Sequence, residues 1–143
     1  MMDTLVVDGV LDSLEVIAKY ILELAKTAAL NTQKTYKLRL AVDELATNII
    51  IYGYQETGKT GVIKIQTIIT DQDLQIILED TGPAFNPAEN LERANSILDK
   101  SLEERPLGGL GIYLALEGVD YFAYERVGDC NRSLLTVNRR DHS

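Results

Sequence analysis

Glu44 and Asn48 are four residues apart within a helical pattern of apolar residues. At that spacing the two side chains stack one turn above the other on a flank of the helix. A carboxylate and a carboxamide held in this way can share a metal ion or a bound water. They can equally be two exposed polar residues, because polar residues commonly flank an apolar helix stripe.

Two later segments carry further candidates for chemistry. Asp80 ends a predicted buried strand, where its carboxylate can accept a hydrogen bond from an adenine amino group, and Gly82 allows the base to approach closely. The glycine-rich run at residues 108–111, Gly108-Gly109-Leu110-Gly111, can bring backbone N–H groups to phosphate oxygens at a helix N-terminus. Each segment also has a plain structural interpretation. Asp-x-Gly is often a turn with glycine at positive φ, and glycine clusters often form tight connections.

A third motif is a letter match without the right context. Residues 53–60 fit the phosphate-loop pattern G-x-x-x-x-G-K-[ST]. That motif requires a strand before the loop and a helix after it. Here a helical pattern precedes the loop and the strand-like residues 62–65 follow it, so we predict a helix-to-strand turn.

Two helices are predicted to position these residues. Asp12-Ser13-Leu14-Glu15 has the form of a capping box and opens a helix that runs to about Leu30. Asn31-Thr32 caps the second, central helix. Its apolar stripe has a helical period and comprises Leu38, Val42, Leu45, Ile49 and Tyr52.

The remaining elements are β-rich. Strands are predicted at residues 4–10, 62–70, 74–79, 121–126 and 133–138, with turns at residues 71–73 and 128–131. A long segment, residues 80–107, precedes a short apolar helix at residues 112–117. This order predicts a single α+β domain over residues 1–143: a two-layer α/β sandwich, whose mixed, mostly antiparallel sheet carries the helices on one face.

Composition narrows the class of protein. A chain of 143 residues with 45% hydrophobic and 25% charged residues is typical of one globular domain. The net charge of −8 argues against a nucleic-acid or anionic-membrane surface. The single cysteine, Cys130, excludes an intramolecular disulfide, and the single histidine, His142, makes triad-type hydrolysis a poor interpretation. With no signal-peptide or membrane-span pattern, we expect a cytoplasmic protein.

Three segments taken in order resemble a known family. Residues 43–48 with 52–54, residues 79–87 and residues 104–112 resemble the N, G1 and G2 boxes of the GHKL ATPase superfamily, which includes gyrase and the histidine kinases. More narrowly, the chain resembles the small bacterial anti-sigma factors with serine-protein kinase activity, of the RsbW and SpoIIAB type. This resemblance implies the Bergerat ATP-binding fold. One departure is Tyr52, where many members have histidine; we expect this position to serve helix packing.

The resemblance also implies roles for individual residues. It implies that Asn48 binds Mg²⁺, that Glu44 is the general base, and that Asp80 contacts adenine with Gly82 beside it. It places Arg105 near the ATP γ-phosphate or the partner, and a lid over roughly residues 90–107. Gly108, Gly109, Leu110 and Gly111 are expected at the phosphates, and Thr136 is a weaker candidate for supporting adenine through water.

Two functions remain open. In the first, the protein uses Mg-ATP to phosphorylate serine or threonine on an anti-anti-sigma (STAS) partner, and it also binds a sigma factor. In the second, it is an ATP-switched binding module that sequesters a sigma factor or another regulator without phosphotransfer. A homodimer is the expectation from the family. A detached histidine-kinase ATPase domain is a weaker third option, because no phosphoacceptor histidine with a dimerisation helix pair is present.

Overall fold

The computed structural model describes residues 2–85 and 115–140. In this part of the chain the elements are β1 (Met2–Asp8), α1 (Ser13–Thr27), α2 (Thr32–Asn48), a π-helical segment (Ile49–Gln55), β2 (Val62–Ile69), β3 (Asp73–Asp80), β4 (Tyr121–Val127) and β5 (Cys130–Asn138). The strands form one sheet in the order β1-β2-β3-β5-β4. All four pairings between these strands are antiparallel, so the described strands do not show the parallel component of the expected mixed sheet.

Side-chain alternation in the strands produces the two-layer architecture. In β3 and β5 every second residue is buried, and these residues face the two helices. The helices contribute matching stripes that include Ile17 and Ile21 from α1 and Leu38 and Val42 from α2. One hydrophobic core therefore lies between the helices and one face of the sheet, and the predicted α+β fold is confirmed. Within residues 2–85 and 115–140, no helix has the length and apolar character needed to cross a membrane.

The two predicted helix caps have different outcomes. Asn31 has extended backbone angles (φ −70°, ψ 171°), and its side chain accepts a 2.8 Å hydrogen bond from the Lys34 N–H, as expected of a cap. Asp12 has helical angles (φ −60°, ψ −23°) and makes no side-chain capping bond, so the predicted capping box is wrong. The backbone at Asp12 already turns as a helix and does not direct the carboxylate at the free N–H groups.

The central helix changes type before it ends. From Ile49 to Gln55 it is a π-helix, whose i→i+5 hydrogen bonds widen the turn. The fully buried stripe consequently moves on from Leu45 to Ile50 and Tyr54. Of the two residues predicted to continue it, Ile49 is partly buried against the core and Tyr52 is exposed. Tyr52 is 42% exposed, so the expectation that it serves helix packing is wrong.

Tyr54 fixes the end of this helix to the sheet. Its ring is 2% exposed, and its hydroxyl donates to the Val62 carbonyl (2.8 Å) and accepts from the Thr81 N–H (3.0 Å). The ring packs directly on two glycines. A Cβ added to Gly9 would lie 2.4 Å from the nearest ring atom, and one added to Gly61 would lie 2.6 Å from it. The segment between Tyr54 and β2 is thus a helix-to-strand turn, which confirms that residues 53–60 are not a phosphate-binding loop.

Candidate functional site

A cleft opens between the end of the central helix and the adjoining ends of β3 and β5. Its walls are largely apolar, with Leu45 and Ile49 on the helix side and Phe85 beyond β3. The side chains with polar groups that line it are Asn48, Tyr52, Asp80, Asn131 and Ser133. An apolar cleft with a few converging polar groups is the usual form of a small-molecule site.

Asp80 is the polar centre of this cleft and is 5% exposed. Its Oδ1 atom accepts hydrogen bonds from the Gly82 N–H (2.9 Å) and from the Asn131 carboxamide (3.0 Å). Within the described part of the chain, no hydrogen bond reaches Oδ2. The carboxylate is therefore anchored through one oxygen, and the other is available to a ligand that carries an N–H donor.

The electrostatic environment of Asp80 also favours a ligand donor. Burial raises the pKa of Asp80, and the hydrogen bonds from Asn131 and Gly82 and the charge of Arg126 offset this only in part. An N–H donor placed against Oδ2 would stabilise the ionised carboxylate.

Gly82 is required by a close approach of two backbone segments. A Cβ at Gly82 would lie 3.1 Å from Gly53 Cα and 3.2 Å from the Gly53 carbonyl oxygen. Gly82 does not have the positive φ that a simple turn would have required of it. This contact brings the segment after β3 against the helix end and closes one side of the cleft.

The helix places Asn48 in the cleft wall and Glu44 one turn earlier, outside the lining residues. Burial, and secondarily the charge of Asp43, raises the pKa of Glu44. A raised pKa brings a carboxylate closer to the range in which it accepts a proton efficiently near neutral pH.

Thr136 is not brought to the cleft. It pairs with Gln75 across β3 and β5, one position out of phase with the buried residues of both strands. Its side chain therefore lies on the sheet face away from the helices. Ser133, which pairs with Leu78, is the β5 hydroxyl in the cleft. Both hydroxyl residues lie on β5, and the alternation of the strand places Ser133 in the cleft and Thr136 on the opposite face.

Asn131 lines the cleft and was not predicted as a site residue. Residues 128–131 carry turn-forming side chains and were assigned to a turn, whereas the observed turn is only Gly128-Asp129 and β5 begins at Cys130. Gly128 has a φ of 60°, which permits this two-residue hairpin. The available signal was a glycine followed by aspartate between two β-rich runs.

The other predicted site residues lie outside the described residues. These are Arg105, Gly108, Gly109, Leu110 and Gly111, together with the lid predicted over residues 90–107. Their roles stay predictions.

The described residues suit a planar base with an amino group, bound near Asp80. Asn48 can offer one oxygen to Mg²⁺, which commonly takes one or two protein ligands and completes its shell with phosphate and water. Within residues 2–85 and 115–140, no group of three or more His, Cys, Asp or Glu side chains could hold a metal by itself.

Comparisons with known proteins agree with this geometry. The sequence model of the family described as "Histidine kinase-like ATPase domain" matches residues 9–137. In overall structure the chain is similar to the histidine kinase domain of the blue-light activated histidine kinase from Erythrobacter litoralis EL346, with a TM-score of 0.53 and 17% identity over 87% of this chain and 58% of that one. At this identity the likeness concerns the fold alone.

Curated relatives are similar over about half of the chain. The anti-sigma F factor of Clostridium kluyveri is 36% identical over 74 residues, which cover 52% of this chain and 49% of the relative. The serine-protein kinase RsbW of Staphylococcus aureus is 27% identical over 77 residues, which cover 53% and 48%. The chain thus spans about half the length of the curated relatives it matches.

Proposed function

The chain belongs to the histidine kinase-like ATPase domain family, and from that membership we propose that it is an Mg-ATP-binding anti-sigma factor with serine/threonine-protein kinase activity. Its substrate would be a small anti-anti-sigma protein of the STAS type, and its second partner a sigma factor. The relatives named anti-sigma F factor and serine-protein kinase RsbW support this choice within the family. A regulator of sigma factors would act in the cytoplasm, and the expected homodimer is a prediction that light scattering can check.

The observation that carries the proposal is the hydrogen bonding of the Asp80 carboxylate, in which one of the two oxygens has protein partners. Its Oδ1 is occupied by the Gly82 N–H and the Asn131 carboxamide, which leaves Oδ2 for the amino group of adenine. Asn48 lies in the same cleft, where its side-chain oxygen would hold Mg²⁺. Mg²⁺ would neutralise charge on the transferring phosphoryl group.

Phosphoryl transfer requires little covalent chemistry from the protein, since positioning and charge stabilisation supply most of the catalysis. Glu44 would accept the proton of the partner's hydroxyl group as the hydroxyl oxygen bonds to the γ-phosphorus and ADP leaves. Arg105 would stabilise the γ-phosphate, and Gly108 to Gly111 would donate backbone N–H groups to the phosphates.

Calorimetric titration with ATP, with and without Mg²⁺, followed by phosphate transfer to a candidate anti-anti-sigma protein, tests these assignments. Asp80→Asn should abolish measurable ATP binding, and Asn48→Ala should bind ATP without dependence on Mg²⁺. Glu44→Ala should bind ATP normally and fail to transfer phosphate. If the wild-type protein does not bind ATP, the proposed function is wrong.

One observation favours the alternative of an ATP-switched binding module. Glu44, the proposed general base, lies outside the residues that line the cleft, whereas Tyr52 lines it. A wild-type protein that binds ATP, responds to it in sigma-factor binding and never transfers phosphate would identify the module as the correct function.

A further inference from the structure

The carboxamide of Asn131 uses both of its ends in hydrogen bonds and is buried, at 5% exposure. Its nitrogen donates to three oxygens: Asp80 Oδ1 (3.0 Å), the Pro83 carbonyl (2.9 Å) and the Gly82 carbonyl (3.3 Å). Its oxygen accepts from two donors, the Phe85 N–H at 3.3 Å and the Tyr124 hydroxyl. One side chain thus joins β5 to the end of β3 and to the segment that forms the cleft wall.

The orientation of this carboxamide is fixed by chemistry. If it were turned by 180°, its oxygen would face a carboxylate and two carbonyl oxygens, and its nitrogen would face two donors. Only the observed orientation satisfies all five contacts.

We propose that Asn131 is a positioning residue for recognition of the ATP base, because it holds the Asp80 carboxylate with Oδ1 inward and Oδ2 presented to the adenine amino group. This inference rests on the proposed function. The terminal torsion of an aspartate is broad and roughly two-fold, so a carboxylate without such an anchor samples many angles. In the cleft, the Gly82 N–H alone would restrain it.

The predicted consequence is selectivity for a base with an amino group. An anchored carboxylate accepts a hydrogen bond from adenine and opposes hypoxanthine, whose keto oxygen is an acceptor at the same position. Loosening the carboxylate weakens the favourable contact and relieves the unfavourable one. Asn131 therefore acts on the ratio of two affinities, which overall destabilisation would leave unchanged.

The test compares ATP with inosine triphosphate by calorimetry in the wild-type protein, Asn131→Ala and the control Thr136→Ala, which alters the same strand on its opposite face. In Asn131→Ala we expect affinity for ATP to fall roughly tenfold, the effect of losing one hydrogen bond to a charged group. Affinity for inosine triphosphate should not fall, so the ratio collapses. Thr136→Ala should keep both affinities.

If Asn131→Ala keeps the wild-type ratio of the two affinities, whether or not both fall, Asn131 has a merely structural role and the proposal is overturned. If Asn131→Ala does not fold, Tyr124→Phe decides, since it removes one donor to the Asn131 carboxamide and leaves that side chain in place. Its ATP-to-inosine ratio should fall about threefold, and a wild-type ratio there overturns the proposal. If the wild-type protein binds ATP and every variant keeps the wild-type ratio of ATP to inosine triphosphate affinity, only the role of Asn131 is refuted. A wild-type protein that binds neither nucleotide refutes the proposed function with it.

Discussion

Asp80→Asn replaces one oxygen atom and is expected to separate nucleotide recognition from folding. Asp80 Oδ1 accepts both intramolecular hydrogen bonds, at 2.9 and 3.0 Å, and an asparagine carbonyl oxygen can accept the same two. The carboxamide nitrogen then occupies the position of Oδ2. A donor faces the cleft where an acceptor stood, opposite an adenine amino group that is also a donor.

The expected loss in ATP affinity follows from these contacts. One hydrogen bond to a charged acceptor disappears, which removes about 1.5–3 kcal/mol. Two donors are left facing each other, and a buried unsatisfied group costs about 1–3 kcal/mol. The total of about 2.5–6 kcal/mol corresponds to a loss of roughly 10²–10⁴-fold in affinity.

The stability of the free protein should change in the opposite direction. Because burial raises the pKa of Asp80, the folded state holds this proton more tightly than the unfolded state. The free energy of unfolding therefore falls as pH rises through the window that begins near the ordinary value of 3.8 and extends to the raised pKa. Asparagine does not titrate, so Asp80→Asn should lose this part of the pH dependence and be at least as stable as wild type at about pH 7.

Calorimetric ATP titration and urea unfolding over a range of pH measure the two effects separately. Asp129→Asn removes the same charge from an exposed residue of the β4–β5 turn that does not line the cleft, and it should leave ATP binding unchanged. An Asp80→Asn protein that keeps ATP affinity within a factor of about three, or that is clearly less stable than wild type, would refute this reasoning.

Three further predictions concern packing and backbone geometry. Tyr54→Phe leaves the Val62 carbonyl and the Thr81 N–H without their partner, so urea unfolding should show a loss of about 1–3 kcal/mol. Gly82→Ala places a Cβ 3.1 Å from the Gly53 backbone and should cost about 1–3 kcal/mol in unfolding free energy while weakening ATP binding by calorimetry. Asn31→Ala removes an observed helix cap and should cost about 1 kcal/mol in thermal unfolding. The matched change at the other helix, Asp12→Ala, removes no capping bond and should be nearly neutral.

The fold follows from periodicity in the sequence, but one feature of the central helix does not. The strand and helix patterns predict the order of the elements, and the structure confirms that order in the part of the chain it describes. The π-helical turn could not be predicted, because Ile49, Ile50 and Ile51 are all apolar. A buried stripe that continues at Ile49 and one that shifts to Ile50 are equally consistent with such a run. Packing of Tyr54 against the sheet decides between them.

The site was predictable where a residue's role depends on its own segment. Asp80 and Asn48 lie in the cleft as expected, because each is placed by the element that carries it. Asn131 and Ser133 depend on where β5 begins and on its register with β3, which turn-forming residues at 128–131 conceal. Register is a tertiary property, so the choice between Ser133 and Thr136 required the paired strand.

Because every second residue of β5 is buried, the number of residues between the core anchors and Asn131 determines the face on which Asn131 lies. Leu135 and Val137 anchor the strand in the core, and Asn131 reaches Asp80 only because it is an even number of positions away from them. One residue inserted between Asn131 and Leu135 would turn Asn131 to the opposite face without replacing any contact residue. Two inserted residues would restore its direction but move it about 7 Å along the strand. Within the β4–β5 hairpin, a change in chain length that preserves nucleotide binding is therefore expected in the turn before Cys130, and not between Asn131 and Leu135.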